Sequence, residues 1–286
     1  MNTYIPVQRF ILILILNSLC RLLYSQPVEE VLSVANNQYQ KGNNDFALKE
    51  FQRYLFFEPS ASNAVIYYNI GNCYWNLNQF NQASEFYDKA FFTSADDSMR
   101  IKSLFRKVDC NIRTGDYGIA LNDLLSLNDS LKGNNYYLKE FYCGLCYYGM
   151  QDFNNSEFCF INAVDTAYKQ QRNDIKQLFK NKKKFYLPNA QTAKVMSMFL
   201  PGLGQLYSGD IKNSANSLIL TSLLAYFGFQ IAYAESIFDA VITIAPWFQR
   251  YYQGGYTRAE QTAILKCAER RNRTYIEITK IISSTK

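Results

Sequence analysis

The sequence predicts an all-α protein, an α-solenoid followed by a helical, membrane-associated hairpin. Three observations carry this. Residues 28–170 repeat at intervals of 36 to 37 residues, a period that signals stacked helical hairpins. Asn213 to Ala234 is a run of 22 residues without a charge, bracketed by Lys212 and Glu235. A bilayer-spanning helix needs roughly 20 apolar residues. Before that run stands a Gly-rich break in an apolar stretch, Pro201-Gly202-Leu203-Gly204-Gln205-Leu206-Tyr207.

Composition limits the function classes. The chain has 286 residues, a formal charge of +6, 23 Tyr, 21 Phe and no His. Lacking His, it lacks the usual general base and the commonest metal ligand. The remaining candidates for catalysis, Asp210, Glu235 and Asp239, are not paired by their spacing, so an enzyme is the last of the readings weighed. Basic residues cluster at Lys180–Lys184 and Lys266–Arg273 without forming a groove-long stripe, which argues against a nucleic-acid partner. No cofactor, metal or small-molecule substrate is expected. Seven cysteines are scattered. Cys143-Gly-Leu-Cys146 matches C-x-x-C, a redox pair or half a zinc site. The blander reading, favoured here, is two small apolar residues on a packed helix.

In chain order, residues 1–25 read as a signal peptide. Arg9 precedes the uncharged run Phe10–Cys20, and Ser25 before Gln26 is a plausible cleavage point. Lipidation at Cys20 and an uncleaved anchor are alternatives; Leu19 before the cysteine is not the small residue a lipobox wants. Each places the following residues outside the cytoplasm.

Four windows begin at Val28, Ala64, Ile101 and Tyr137, spaced by 36, 37 and 36 residues. The first holds Ala35, Gly42, Ala47, Phe51 and Pro59. The second holds Gly71, Tyr74, Ala83, Tyr87 and Ala90. The third holds Leu104, Gly115, Ala120 and Leu124, and the fourth Gly144, Tyr147, Ser156, Phe160 and Ala163. Small residues on facing helices allow close approach, aromatics fill the layers between repeats, and each hairpin covers its neighbour's apolar face. These residues resemble the tetratricopeptide repeat family, the second window nearly throughout. Gln38 and Asn111 stand where that pattern has Tyr, and Val108 where it has Gly. The resemblance implies a TPR-type α-solenoid that binds a protein partner on the face made by the first helix of each repeat. Counting from the repeat starts, the inward positions include Tyr39, Tyr68, Asn72 and Trp75, then Phe105, Phe141 and Tyr148. This groove reads as aromatic with a few amides and without the Lys and Arg set that clamps a terminal carboxylate. An apolar or extended protein segment is the natural ligand; packing of the same aromatics on the next repeat is the competing reading.

Residues 171–190 read as a basic capping helix and linker, with the domain boundary at Phe185–Asn189. Residues 191–256 read as the hairpin, and 257–286 as a separate basic helix after a chain break at Gly254-Gly255. Asn213–Ala234 is the best span. The second arm, Ser236–Gln249, is short and contains Asp239, which belongs at the interface beside Glu235 or inside the hairpin. Trp247, Tyr251 and Tyr252 sit where an aromatic belt would lie. Pro201, Gly202 and Gly204 forbid one straight helix and imply a turn packed against the following helix. The alternative is a buried helical core.

The run Met198–Tyr207 with Gly209-Asp210 and Tyr252-x-Gly254-Gly255 resembles a bacterial membrane module found at the C-terminus of exported tetratricopeptide proteins. It is also similar to small two-helix membrane domains that open with Pro-Gly-x-Gly. The resemblance makes Pro201, Gly202, Gly204, Gln205, Tyr207, Gly254 and Gly255 its marks, implying location and architecture but no chemistry. The expected function is a non-enzymatic scaffold of the cell envelope, with the repeats in the periplasm, a protein partner in the groove and membrane lipid around the hairpin. The alternative is a membrane-protein assembly or insertion factor whose hairpin itself acts.

Overall fold

The computed structural model describes residues 27–58, 64–127 and 131–285. The expected signal at 1–25, with Cys20, and Pro59 of the first repeat lie outside the described residues. The described secondary structure is helical, and the chain divides into two compact units, residues 1–159 and 160–286.

The first unit is a row of hairpins: α1 (Val28–Gln40) with α2 (Asn44–Phe57), α3 (Ala64–Asn76) with α4 (Phe80–Thr93), α5 (Asp97–Thr114) with α6 (Tyr117–Ser126), and α7 (Asn134–Gly149) with the start of α8 (Phe153–Asn162). The hairpin turns share one geometry. A left-handed residue stands at Gly42, Asn78, Gly115 and Gln151, at intervals of 36, 37 and 36 residues. The N–H of each bonds to the carbonyl three residues back, as Gly42 to Tyr39 and Gln151 to Tyr148. The next N–H reaches five back, as Asn43 to Gln38 and Asp152 to Tyr147. This is the Schellman ending, which satisfies the last carbonyls of the helix. The repeat is thus written in its turns as well as in its core.

Small residues bring the paired helices together. Ala35, Ala47, Ala83, Ala90 and Ala120 are fully buried. A Cβ on Gly71 would lie 2.7 Å from the Tyr87 ring, and Tyr87 is itself fully buried. Each core cluster is shared with the next hairpin: Phe51 of α2 packs with Ile66 and Ile70 of α3, and Cys110 of α5 joins Tyr68 and Tyr87. Val108 stands fully buried with Leu104, Leu124 and Cys143. Asn111, where the family pattern has Tyr, instead accepts from Ser84 Oγ at 2.8 Å. Lys107 bridges two neighbouring helices through Asp88 at 2.7 Å and Asp123 at 3.0 Å. Burial alone would lower its pKa, but the bonds to the two carboxylates outweigh that and raise it.

The second unit holds α9 (Lys169–Phe179), a 3₁₀ turn (Lys182–Tyr186), α10 (Ala190–Phe199), α11 (Leu203–Tyr207), α12 (Ile211–Ala234) and α13 (Ile237–Ser283). Two expectations are corrected here. Residues 171–190 are not a linker ahead of the second unit but part of it. Rings of Phe160, Phe179 and Phe185 form a ladder with centroids 6.3 and 5.6 Å apart. Arg270 of α13 donates to the Leu187 carbonyl at 2.8 Å, and Arg271 Nε to that of Phe185 at 2.7 Å. The basic C-terminal residues are therefore spent partly on holding this segment.

The second correction concerns Gly254-Gly255, which does not break the chain. α13 is one helix of 47 residues that runs through Pro246 and both glycines. No separate helix begins at 257. Gly255 is held against its neighbours within the helix: a Cβ there would come within 2.8 Å of Ser217 Oγ on α12, and its carbonyl accepts from the Gln205 side chain.

Candidate functional site

The first candidate is the face built by α3 and α5. Trp75 stands half-buried on α3, with its ring 5.1 Å from that of Phe80. Asn72 accepts from the Tyr87 hydroxyl at 2.8 Å and also bonds Tyr39, whose hydroxyl pKa is raised chiefly by burial. Tyr68 and Phe105 are largely buried, at 6% and 7% exposure. Tyr68 tilts on Tyr87, and Phe105 stacks on Tyr142 of α7 at 5.7 Å. Both therefore pack on neighbouring helices more than they face solvent. Phe141 and Tyr148 are half-buried and meet Tyr142 and Phe153 edge-on.

The face, read as aromatic with a few amides, carries cations as well. Helix α5 lays three across this face. Lys102 Nζ lies 4.6 Å from the centre of the Tyr68 ring, and Arg106 lies 5.6 Å from that of Trp75. Arg113 sits over Trp75 at 4.5 Å and over Phe80 at 5.5 Å. Arg106 also hydrogen-bonds Tyr68. Residues 102, 106, 109 and 113 are spaced by four, three and four, so they share one helix face. Phe105, expected to face inward, lies beside this row and is drawn toward Tyr142 of α7. Asp109 lies in the same row, 3.7 Å from Arg113. Burial raises its carboxyl pKa although Arg113 and Arg106 pull it down. Cations over indole and phenol faces, within about 6 Å, are held there by the ring quadrupole. Such a face offers flat apolar area and hydrogen-bond donors together.

The Cys143 and Cys146 thiols lie inside the core cluster, with pKa values pushed up to about 12 by burial. Thiols so protonated are poor nucleophiles.

The second candidate is the knot formed by the Pro-Gly-x-Gly-Gln-x-Tyr run. Leu200 ends α10 in an extended conformation and Pro201 begins the turn. Gly202 has φ +93°, and a Cβ there would strike the Ser214 carbonyl oxygen at 2.4 Å. Ser214 Oγ returns a bond to the Gly202 carbonyl at 2.7 Å. The turn thus packs against the helix that follows it, as its residues implied. Gly204 is pressed still closer to α10, where a Cβ would lie 1.9 Å from the Ala193 carbonyl oxygen.

Gln205 is fully buried, and both of its side-chain polar atoms are hydrogen-bonded. Its Oε1 accepts from Ser197 Oγ at 2.9 Å, and its Nε2 donates to the Gly255 carbonyl at 2.8 Å. The Gly204 N–H donates to the same Ser197 hydroxyl at 2.9 Å. Tyr207 closes the loop by accepting from the Asn189 N–H at 3.2 Å. Tyr252 donates to the Met198 carbonyl. The motif's two halves, 50 residues apart, meet through Gln205 and Gly255. Gly254 differs from its neighbour, since a Cβ there would meet nothing within 4 Å. Ser197, Ser214 and Ser217 complete the knot and were not singled out by sequence; short hydroxyls carry no period that would mark them.

Comparison with known proteins bears on the first unit. Residues 64–91 match the tetratricopeptide repeat. They are the second hairpin, Gly71, Ala83 and Tyr87 included. No curated protein matches the chain. The fold is an all-α, tetratricopeptide-like helical solenoid in its first part. Repeats of this kind are protein–protein interaction scaffolds, and proteins built from them are generally non-enzymatic.

Proposed function

We propose that this protein is a non-enzymatic scaffold of the cell envelope. Its repeat face captures a protein partner, and its C-terminal hairpin holds the complex at a membrane, with the repeats in the periplasm. The observation that carries the membrane half is where the apolar side chains of α12 point. This helix has a mean hydropathy of 1.5 in its best window, yet only 6% of that window is buried. Ile219, Phe227 and Phe229 are more than half exposed. A core helix of a soluble protein would bury them, at roughly 1.5–3 kcal/mol each. Left open to water, they ask for lipid. Among the described residues this is the one helix long and apolar enough to cross. The return arm, from Ile237, begins with Asp239 in its first turn, beside the hairpin tip at Glu235 and Ser236. Both carboxylates then sit at the far interface, where Asp239 also faces the positive end of the helix.

For the partner half, the Trp75 face with Lys102, Arg106 and Arg113 favours an extended segment that carries aromatic and acidic side chains. Arg and aromatic residues together are typical of binding hot spots.

Carbonate extraction of membranes tests the anchor: the full-length chain stays in the pellet, and release into the supernatant would refute the hairpin reading. A photo-crosslinking residue placed beside Trp75, at Asn76, tests the face in cells. A discrete adduct is expected. It should disappear when Arg106 and Arg113 are both changed to Ala; persistence of the same adduct would move the binding face elsewhere.

A further inference from the structure

The two arms of the hairpin do not close along their whole length. Beside the knot, between α12 and α13, a cleft of about 410 Å³ stays open. Its lining mixes apolar surface with polar groups, although both helices are apolar toward the tip. α12 gives it Asn213, Asn216 and Ser217, and α13 gives it Arg250, Gly254 and Arg258. Gly254 borders open space, so its missing side chain leaves the cleft unfilled.

The charge in the cleft comes from its two arginines, set among amides and hydroxyls. No carboxylate lines it. The nearby acids are engaged elsewhere: Asp210 caps α12 and accepts from the Asn213 side chain at 2.6 Å, and Glu260 pairs with Lys194 at 2.9 Å. Arg258 reaches the Asn213 amide oxygen at a long 3.4 Å, and Arg250 has no ion pair among the described residues. Ser217 Oγ is buried, with no hydrogen-bond partner among the described residues. A buried polar atom left unbonded costs free energy, and the two exposed cations, about two turns apart on α13, bring positive charge to the same cleft. The complement is an anion that has several acceptor oxygens, for which a phosphate fits the planar fork of arginine.

Depth selects the source. At about 1.5 Å per residue, Arg250 and Arg258 lie about 20 and about 33 Å from the hairpin tip. A hydrocarbon core is about 30 Å thick. With the tip at one interface, Arg258 falls at the head-group level of the other, and Arg250, about two turns nearer the tip, reaches toward it along its long side chain. We propose that this cleft binds the phosphate of an anionic phospholipid head group, an inference that rests on the membrane reading above.

The test uses the full-length chain in nanodiscs of phosphatidylcholine doped with phosphatidylglycerol, with retained lipid counted by native mass spectrometry after mild delipidation. The wild type is expected to keep phosphatidylglycerol. The double variant Arg250→Gln, Arg258→Gln should keep about tenfold less, since charge-assisted bonds are lost. Gly254→Leu fills the cleft between the two arginines without removing either charge and should also shed lipid, with its thermal melt by circular dichroism unchanged. Equal retention in a variant that melts as the wild type does overturns the proposal. Inorganic phosphate that binds the lipid-free protein in detergent, and is not displaced by phosphatidylglycerol, overturns the lipid assignment in favour of a soluble phosphate. Carbonate extraction runs in parallel. Release of the wild type refutes the membrane reading and this inference with it, whereas a retained wild type with equal lipid counts refutes the cleft alone.

Discussion

The two units are built from the same helices and keep their apolar side chains on opposite sides. In the repeats, Phe51, Tyr87 and Leu124 are fully buried, and each layer is closed by the next hairpin. In the hairpin, Phe229, Tyr233 and Phe238 are among the most exposed residues, while a glutamine, Gln205, is fully buried. The repeats are held by close-packed carbon. The C-terminal unit is held by polar bonds of long sequence range: Gln205 to Gly255, Arg270 to Leu187, Lys194 to Glu260. On the membrane reading proposed above, the difference follows from solvent. Where water surrounds the fold, apolar burial drives it. Where lipid surrounds it, apolar contact between helices gains little, and close backbone approach with internal hydrogen bonds decides the packing.

The comparison can be broken at single residues. The chain's two tryptophans fall one in each unit, Trp75 and Trp247. Changing either to Phe leaves fluorescence that reports on the other unit. The largest effect is expected from Gly204→Ala. Its methyl would lie 1.9 Å from a backbone oxygen, which cannot rotate away. We expect a loss of about 3 kcal/mol or more in the Trp247 transition. An unchanged midpoint would mean that the knot does not hold this unit together.

Gly71→Ala is the matched change in the repeats, placing its methyl 2.7 Å from the Tyr87 ring. A ring can shift where a backbone cannot, so about 1–3 kcal/mol is expected in the Trp75 transition. A cost exceeding that of Gly204→Ala would reverse the ranking of the two units' tolerance.

Asp109 sharpens the electrostatics of the repeat face. Its folded pKa is raised by burial. The stability linked to its neutral form is fully present below the ordinary carboxylate pKa and is lost as pH rises through the folded value. Asp109→Asn should therefore raise the urea midpoint at neutral pH, and the gain should vanish below about pH 4. A variant less stable at neutral pH would show that the Arg113 pair outweighs burial.

The smallest effect is at the turns. Gln151 holds a left-handed conformation, φ +64°, where the first and third repeats use Gly. Gln151→Gly should stabilise the repeats by about 0.5–1 kcal/mol, visible as a raised urea midpoint. No gain would mean that the side chain of Gln151 contributes more than its backbone strain costs.

Much of this was legible beforehand, for reasons that can be stated. Ala47, Gly71, Ala83 and Tyr87 could be read because their partners lie within one hairpin, and a period of 36 to 37 residues repeats the message. Pro201, Gly202 and Gly204 could be read because Pro and Gly limit backbone geometry wherever they stand. The cationic row Lys102, Arg106 and Arg113 shares one helix face, but repeat spacing does not reveal that Phe105 packs on Tyr142 and leaves that face to the cations.

The sequence by itself determined the helical class, the repeat register, the turn positions and the helix whose composition suits a bilayer. Each rests on local chemistry: side-chain volume, backbone freedom or hydropathy over a short window. Only the tertiary structure decided that Gly254 and Gly255 remain helical, that residues 171–190 belong to the second unit, and that Gln205 joins two segments 50 residues apart. It alone set Arg250 and Arg258 around one cleft. These outcomes depend on which distant groups meet, and a hydrogen bond between residues far apart in the chain leaves no period in either segment.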